Sequence, residues 1–106
     1  MTSPEVVRDR SVLERALGRH RALHLYEIGD LDDAFFPHTT YFVERGSAGD
    51  IEAVALLYDG GDLPTLVALA GDEREQRALE RLVPRVLRAI GRPVYAHFSP
   101  SLRPTV

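Results

Sequence analysis

The densest group of side chains that could do chemistry lies between residues 30 and 38. Asp30, Asp32 and Asp33 bring three carboxylates close to the imidazole of His38. Carboxylates and imidazole are ligands for divalent metals, but this spacing matches no established metal-binding loop, and aspartate is common at helix ends. The pattern therefore favours capping and surface roles over a metal site. An alternative is that Asp30, Asp33 and Tyr41 line a cleft where a helical segment meets a sheet.

A second candidate is the start of the longest helix. Gly71 follows an apolar run, Asp72 opens the helix, and Glu75 stands three residues later, which is the spacing of a capping box. Helix N-termini bind anions, so a small-molecule site would first be sought at residues 71–74. Three carboxylates, those of Asp72, Glu73 and Glu75, suit the helix dipole but would repel a phosphate.

The remaining polar candidates favour structural interpretations. His24 and His97 stand among apolar residues, which is typical of a hydrogen-bonded, partly buried histidine more often than of a catalytic one. Glu44 and Glu52 fall on outward faces of predicted strands. They are interpreted as solvated residues or as members of a cross-strand charge pair with Arg45, the alternative being a general base.

Composition limits the class of protein. The 106 residues are enough for one domain with one core, and 44% hydrophobic with 27% charged residues is ordinary for a globular chain. A net charge of −3 argues against general nucleic-acid binding. The absence of cysteine excludes disulfides, thiolate metal sites and cysteine nucleophiles. With no long apolar run and no apolar N-terminal core, we expect a cytoplasmic protein that does not bind membranes.

Periodicity places these residues on elements. Apolar spacing predicts, in chain order, a helix near 11–17, one kinked or two short helices over 23–36, strands at 39–45, 51–58 and 65–70, a helix over 72–90 and a strand at 94–98. Short connections make the first three strands an antiparallel meander, and the crossover helix makes the last strand parallel to its neighbour. The fold class is α/β (α+β), a mixed sheet of four or five strands in the order α-α-β-β-β-α-β, as one domain over residues 1–106.

Some details are also predicted. Ser11, with Glu14 three residues on, is expected to cap the first helix. Val6 and Val7 form either a frayed end or a short opening strand. Pro84 removes a backbone donor and should kink or split the long helix. The arginines of that helix are expected to pair with its own glutamates at three- and four-residue spacing.

The order of elements and two stretches of residues resemble the GNAT superfamily of N-acetyltransferases. LHLYEIGDLDDAFFPHTTYF at 23–42 and YAHFSPSL at 95–102 are similar to the N-terminal, GNAT-like half of two-domain bacterial acetyltransferases. The resemblance extends from about Ser11 to Leu102. It implies two short helices, a meander, a crossover helix and a strand that splays away from its neighbour.

Two departures from the family qualify what the resemblance implies. Catalytic GNAT domains carry a glycine-rich loop whose amides hold the cofactor pyrophosphate, whereas this chain has AGDEREQ there. Ala70, Gly71 and Arg74 would bind the cofactor only if acetyl-CoA binds at all. The chain also stops just after the splayed strand. The resemblance places Asp30, Asp33 and Tyr41 on the acceptor-substrate side.

Three functions follow as hypotheses. The first is a non-catalytic GNAT-like module, with no cofactor, that binds an acceptor or pairs with another GNAT domain in cis or as a homodimer. The second is a small acetyl-CoA-dependent N-acetyltransferase. The third is a small ligand-sensing or interaction module that uses the same cleft. Whether the chain is an enzyme is left open by the sequence.

Overall fold

The sheet is built around its third strand. A computed structural model of the chain describes residues 3–60 and 63–98. The end of the resemblance, at residues 99–102, lies outside these residues. The five strands are β1 (Glu5–Val7), β2 (Thr39–Arg45), β3 (Ile51–Tyr58), β4 (Thr65–Ala68) and β5 (Tyr95–Phe98), in the spatial order β1-β2-β3-β4-β5.

The pairing of the strands confirms the predicted meander. From β1 to β4, each strand is antiparallel to the next, and β5 is parallel to β4. Because both faces of the sheet are covered, the central strand β3 is apolar on both faces over most of its length. The opening residues form strand β1, so the sheet has five strands. Pairing of β4 with β5 is unbroken from Thr65–Tyr95 to Ala68–Phe98, so no splay is present within these residues.

Three helices cover the two faces of the sheet. Helices α1 (Arg10–Leu17) and α2 (Leu25–Gly29) lie on one face, and α3 (Glu73–Ile90) lies on the other. The face below α3 carries Ala53, Ala55 and Ala68, whose small side chains let the helix approach closely, and Leu79 and Leu82 pack against it. The structure is therefore a mixed α+β fold with a five-stranded sheet and three helices.

The cap of α1 differs from the prediction. Asp9, not Ser11, is the N-cap: its Oδ1 accepts the amides of Ser11 at 3.0 Å and Val12 at 3.3 Å. The helix therefore begins at Arg10. A carboxylate that can reach two unpaired amides is a strong cap, and it leaves Ser11 inside the first turn.

Pro84 does not split the long helix. Helix α3 runs without interruption from Glu73 to Ile90, so that alternative was wrong, and a kink at Pro84 stays a prediction. Pro84 is exposed, so water can satisfy the carbonyl that it leaves without a donor. Helix α2 ends at Gly29, and a short 3₁₀ helix, Phe36–His38, follows it and leads into β2, with Pro37 inside it.

Both outer strands have an open edge among the described residues. Tyr95 donates its amide to the carbonyl of Pro64 at 2.8 Å. Because successive amides of a strand point to opposite sides, the amide of Ala96 points away from β4, towards the free edge. Ala96 and His97 are exposed, and Tyr95 is 64% exposed. None of the described helices has the length and apolar character needed to cross a lipid bilayer.

Candidate functional site

The candidate site lies where the chain passes from β4 into α3. Residues 69–75 form this junction, and a turn at residues 18–24, between α1 and α2, folds against it. Gly71 permits the approach, because a Cβ there would overlap the imidazole ring of His20. The sequence thus builds the contact from a glycine on one segment and a histidine on the other.

Carboxylates of the chain itself occupy amides at the start of α3. The Asp72 Oδ1 accepts the Glu75 amide at 2.8 Å, which confirms the predicted cap. The Glu75 Oε1 accepts the Gly71 amide at 2.6 Å. The Asp72 carboxyl also meets His20 Nε2 at 2.8 Å, and its pKa is lowered first by the Glu75 amide and then by His20. The anion at this helix end is therefore supplied internally.

A buried histidine joins this helix end to α2. His24 Nδ1 lies 2.6 Å from Glu27 Oε2, and its Nε2 lies 3.0 Å from Glu75 Oε2. All three side chains are almost fully excluded from solvent. Burial alone would lower the pKa of His24, but the hydrogen bonds to Glu27 and Glu75 outweigh it and raise the pKa to about 9. An imidazolium thus bridges two carboxylates in the interior.

The cluster continues towards β2. The hydroxyl of Tyr41, which is fully buried, donates to the carbonyl oxygen of Glu27 at 2.7 Å. Burial and the nearby carboxylates of Asp30 and Glu27 raise the pKa of Tyr41. Burial, followed by the charge of Glu27, raises the pKa of the Asp30 carboxyl. Glu27 Oε1 and Asp30 Oδ2 are buried without a hydrogen-bond partner. The cluster therefore carries more negative than positive charge.

The structure separates the predicted acceptor residues. Asp30 and Tyr41 both belong to the buried cluster. Asp33 is exposed and forms an ion pair with Arg10 at the start of α1. Their role in binding an acceptor stays a prediction, and for Tyr41 it would have to be exerted from a fully buried position.

The three residues predicted to bind a cofactor also point in different directions or are already occupied. Gly71 gives its amide to Glu75, and Ala70 is partly buried against the core below α3. The Arg74 guanidinium points instead to the strand side, where it meets Glu52 Oε2 at 2.5 Å and Asp50 Oδ2 at 2.8 Å. Cofactor binding by these three residues stays a prediction.

The strand glutamates have partners that the sequence did not predict. Glu44 pairs with Arg81 and Arg85, and Glu52 pairs with Arg74 and Arg81, all from α3. Arg45 pairs with Glu5 of β1 instead of these glutamates. The expected pairing within α3 is present for Arg77 with Glu73 at 2.8 Å, whereas these other arginines reach across to the sheet.

A pocket of about 290 Å³ opens beside the junction. It is lined by charged side chains: Arg19, His20, Glu52, Asp72, Arg74 and Glu75. Across residues 3–60 and 63–98, no three His, Asp or Glu side chains are arranged to hold a metal ion. The pocket can accept a small polar molecule, but four of these side chains already pair with each other, His20 with Asp72 and Arg74 with Glu52.

The interpretation of His24 as a buried, hydrogen-bonded histidine is confirmed, whereas His97, for which the same was expected, is exposed. The partners of His24 were not predicted, although a spacing of three residues, from just before α2 into that helix, could have suggested Glu27. The third member, Glu75, lies 51 positions away, so only the tertiary fold brings it there.

Comparisons with known proteins identify no relative of this chain: no protein-family model, no curated protein and no solved structure matches it.

Proposed function

We propose that the chain is a GNAT-like, non-catalytic domain that pairs with another GNAT domain. The succession of α1, α2, the meander β2–β4, α3 and the parallel strand β5 agrees with the order that the resemblance implies. The resemblance itself lies in the residues at 23–42 and 95–102. On this proposal the domain works in the cytoplasm, as part of a bacterial acetyltransferase assembly or alongside one.

The observation that carries the proposal is the occupied start of α3. A catalytic GNAT loop offers free amides to a pyrophosphate, whereas here Glu75 and Asp72 accept the amides of Gly71 and Glu75. A pyrophosphate would have to displace a carboxylate that is also hydrogen-bonded to a buried imidazolium. At hydrogen-bonding distance, the negative charges of the pyrophosphate and of the carboxylate would repel each other strongly. The arrangement supports a domain that binds no acetyl-CoA.

A second observation bears on the cofactor. The resemblance implies a strand that splays away from its neighbour, whereas β4 and β5 here remain paired through Ala68 and Phe98. Closed backbone pairing leaves no space between these residues for a ligand. This also favours the non-catalytic alternative over the small acetyltransferase.

The open edge of β5 supports the pairing part of the proposal. The strand is short, its amide at Ala96 points outward, and its large side chain Tyr95 is mostly exposed. Exposed strand edges readily add a further strand from another sheet. The partner is a second GNAT-like sheet, in cis or from a second copy of the chain. Acceptor binding near Asp30 remains the other role open to such a domain.

Calorimetric titration with acetyl-CoA tests the non-catalytic assignment. We expect no binding heat from protein whose far-UV circular dichroism shows it to be folded. Micromolar binding that Gly71→Leu abolishes and Gly29→Leu preserves would overturn the proposal. Gly29 is a matched control because a Cβ there meets open space, whereas one at Gly71 meets the His20 ring.

Sedimentation velocity tests pairing through β5. If a second copy is the partner, the chain sediments with twice the mass of one chain. Ala96→Pro removes the outward amide without touching the β4 ladder, so it should give single chains. Ala96→Thr keeps that amide and should preserve the pair. Equal behaviour of both variants would exclude β5 as the pairing edge.

A further inference from the structure

Both ring nitrogens of His24 face carboxylate oxygens. Nδ1 lies 2.6 Å from Glu27, and Nε2 lies 3.0 Å from Glu75. An ionised carboxylate only accepts hydrogen bonds, and a neutral imidazole donates only one. The two contacts therefore require two protons in the cluster. Removal of either proton sets a nitrogen lone pair against an oxygen lone pair, and one contact is lost.

We propose that this cluster is a protonation-controlled latch between the 18–24 turn and the first turn of α3. With two protons, His24 holds Glu75 in place, and Glu75 in turn holds the Gly71 amide. With one proton, Glu75 is released and the Gly71 amide loses its acceptor. The latch goes beyond the proposed function and does not depend on whether the domain pairs.

The groups around His24 explain why loss of its charge matters. The titratable side chains next to His24 or its two glutamates come from every packed element. They are Glu27 of α2, Asp30 after it, Tyr41 of β2, His20 of the 18–24 turn and Glu75 of α3. Within the described part of the chain, no arginine forms an ion pair with either glutamate. Arg8 acts on Tyr41, and Asp72 binds His20. When His24 is neutral, the carboxylates of Glu27, Asp30 and Glu75 thus lose the positive charge of its ring.

Glu75 is the member that can move. Glu27 is completely buried and has the shorter contact with His24. Glu75 retains slight exposure and lines the 290 Å³ pocket, so its side chain has space to turn outward. Release would open the start of α3 to that pocket. The strong hydrogen bonds of His24 place this change in the alkaline range, near pH 9.

Nuclear magnetic resonance titration of the full chain from pH 6 to 10 tests the latch. The probes are the imidazole resonances of His24 and the backbone amide of Gly71, with exposed His97 as an internal reference. We expect His24 to titrate near pH 9 and the Gly71 amide to move with the same midpoint, while circular dichroism stays constant. A Gly71 amide that ignores the His24 titration overturns the proposal. Global unfolding with that titration also overturns it, because the latch requires the remaining fold to stay in place.

Two matched variants separate the latch from general charge effects. Glu75→Gln removes the carboxylate partner and should lower the His24 midpoint by at least about one pH unit, a tenfold loss in proton affinity. Glu73→Gln removes the same charge from the same turn, but Glu73 contacts only Arg77 among the ion pairs described. It should leave the midpoint unchanged. Equal shifts in both variants would show that no specific latch exists.

Discussion

The free energy of unfolding should fall steeply as the pH rises from 7 to 9.5. The cause is His24, whose pKa in the folded chain is about 9 against 6.5 for a free histidine. A group whose folded pKa is raised contributes stability that is complete below its unfolded pKa and is lost as the pH passes the folded pKa. The loss therefore begins near pH 6.5 and is complete above about pH 9.

The magnitude follows from the size of the shift. A change of about 2.5 pH units corresponds to about 3 kcal/mol, at about 1.4 kcal/mol for each unit. This would be a large part of the stability of a small domain, which is about 5–15 kcal/mol. The pKa of Asp30 is also raised in the folded chain. This residue therefore adds a further loss of stability, which begins as the pH rises above 3.8.

Urea unfolding at several pH values, followed by far-UV circular dichroism, measures the effect. Exposed His97 provides the control, because His97→Asn should leave the dependence on pH unchanged. Stability that is constant or rising between pH 7 and 9.5 would refute the reasoning. It would mean that the folded cluster holds no more protons than the unfolded chain over this pH range, so that one of the two contacts of His24 lacks its proton.

Three further changes have expected results. Gly71→Ala should cost about 0.5–1 kcal/mol, measured by thermal unfolding, because the new Cβ displaces the His20 ring from its ion pair; no change would show that this contact is weak. Leu79→Ala, in the core below α3, should cost about 2–5 kcal/mol in urea unfolding, whereas Leu25→Ala at an exposed position should cost less than about 0.5 kcal/mol. Pro84→Ala should stabilise the chain by about 1–3 kcal/mol, because it restores a helix donor at an exposed position; destabilisation in the same assay would contradict this.

Much of the fold could be predicted because its signals are local. The apolar stripe of α3, the Asp72 cap and the glycine at its C-terminal end depend on residues within one helix. The meander is encoded by β-branched and apolar segments joined by short turns. The cap of α1 was misplaced because Asp9 and Ser11 are both good capping residues, and local sequence does not show which one reaches the unpaired amides.

The candidate site could be predicted only in part. Its position at the start of α3 follows from the strand–turn–helix pattern, but its chemistry depends on residues brought from distant segments. His24 stands in an apolar stretch that indicates burial, yet nothing local indicates that Glu75 will supply its second partner. Likewise, Arg81 has glutamates nearby in its own helix but pairs with Glu44 and Glu52 of the sheet. Such pairings arise from packing and not from spacing.

The ion pairs between α3 and the sheet have a consequence for how the helix is positioned. The alanines below α3 are small, so they constrain the position of the helix along its axis less than large interdigitating side chains would. Glu44 engages two arginines from successive turns of α3, and Glu52 engages two that lie about two turns apart, so the ion pairs are spread along the helix axis. The apolar contact thus holds α3 on the sheet, and the ion pairs fix its position along the helix axis. Added salt should therefore loosen the alignment of α3 before it weakens its attachment.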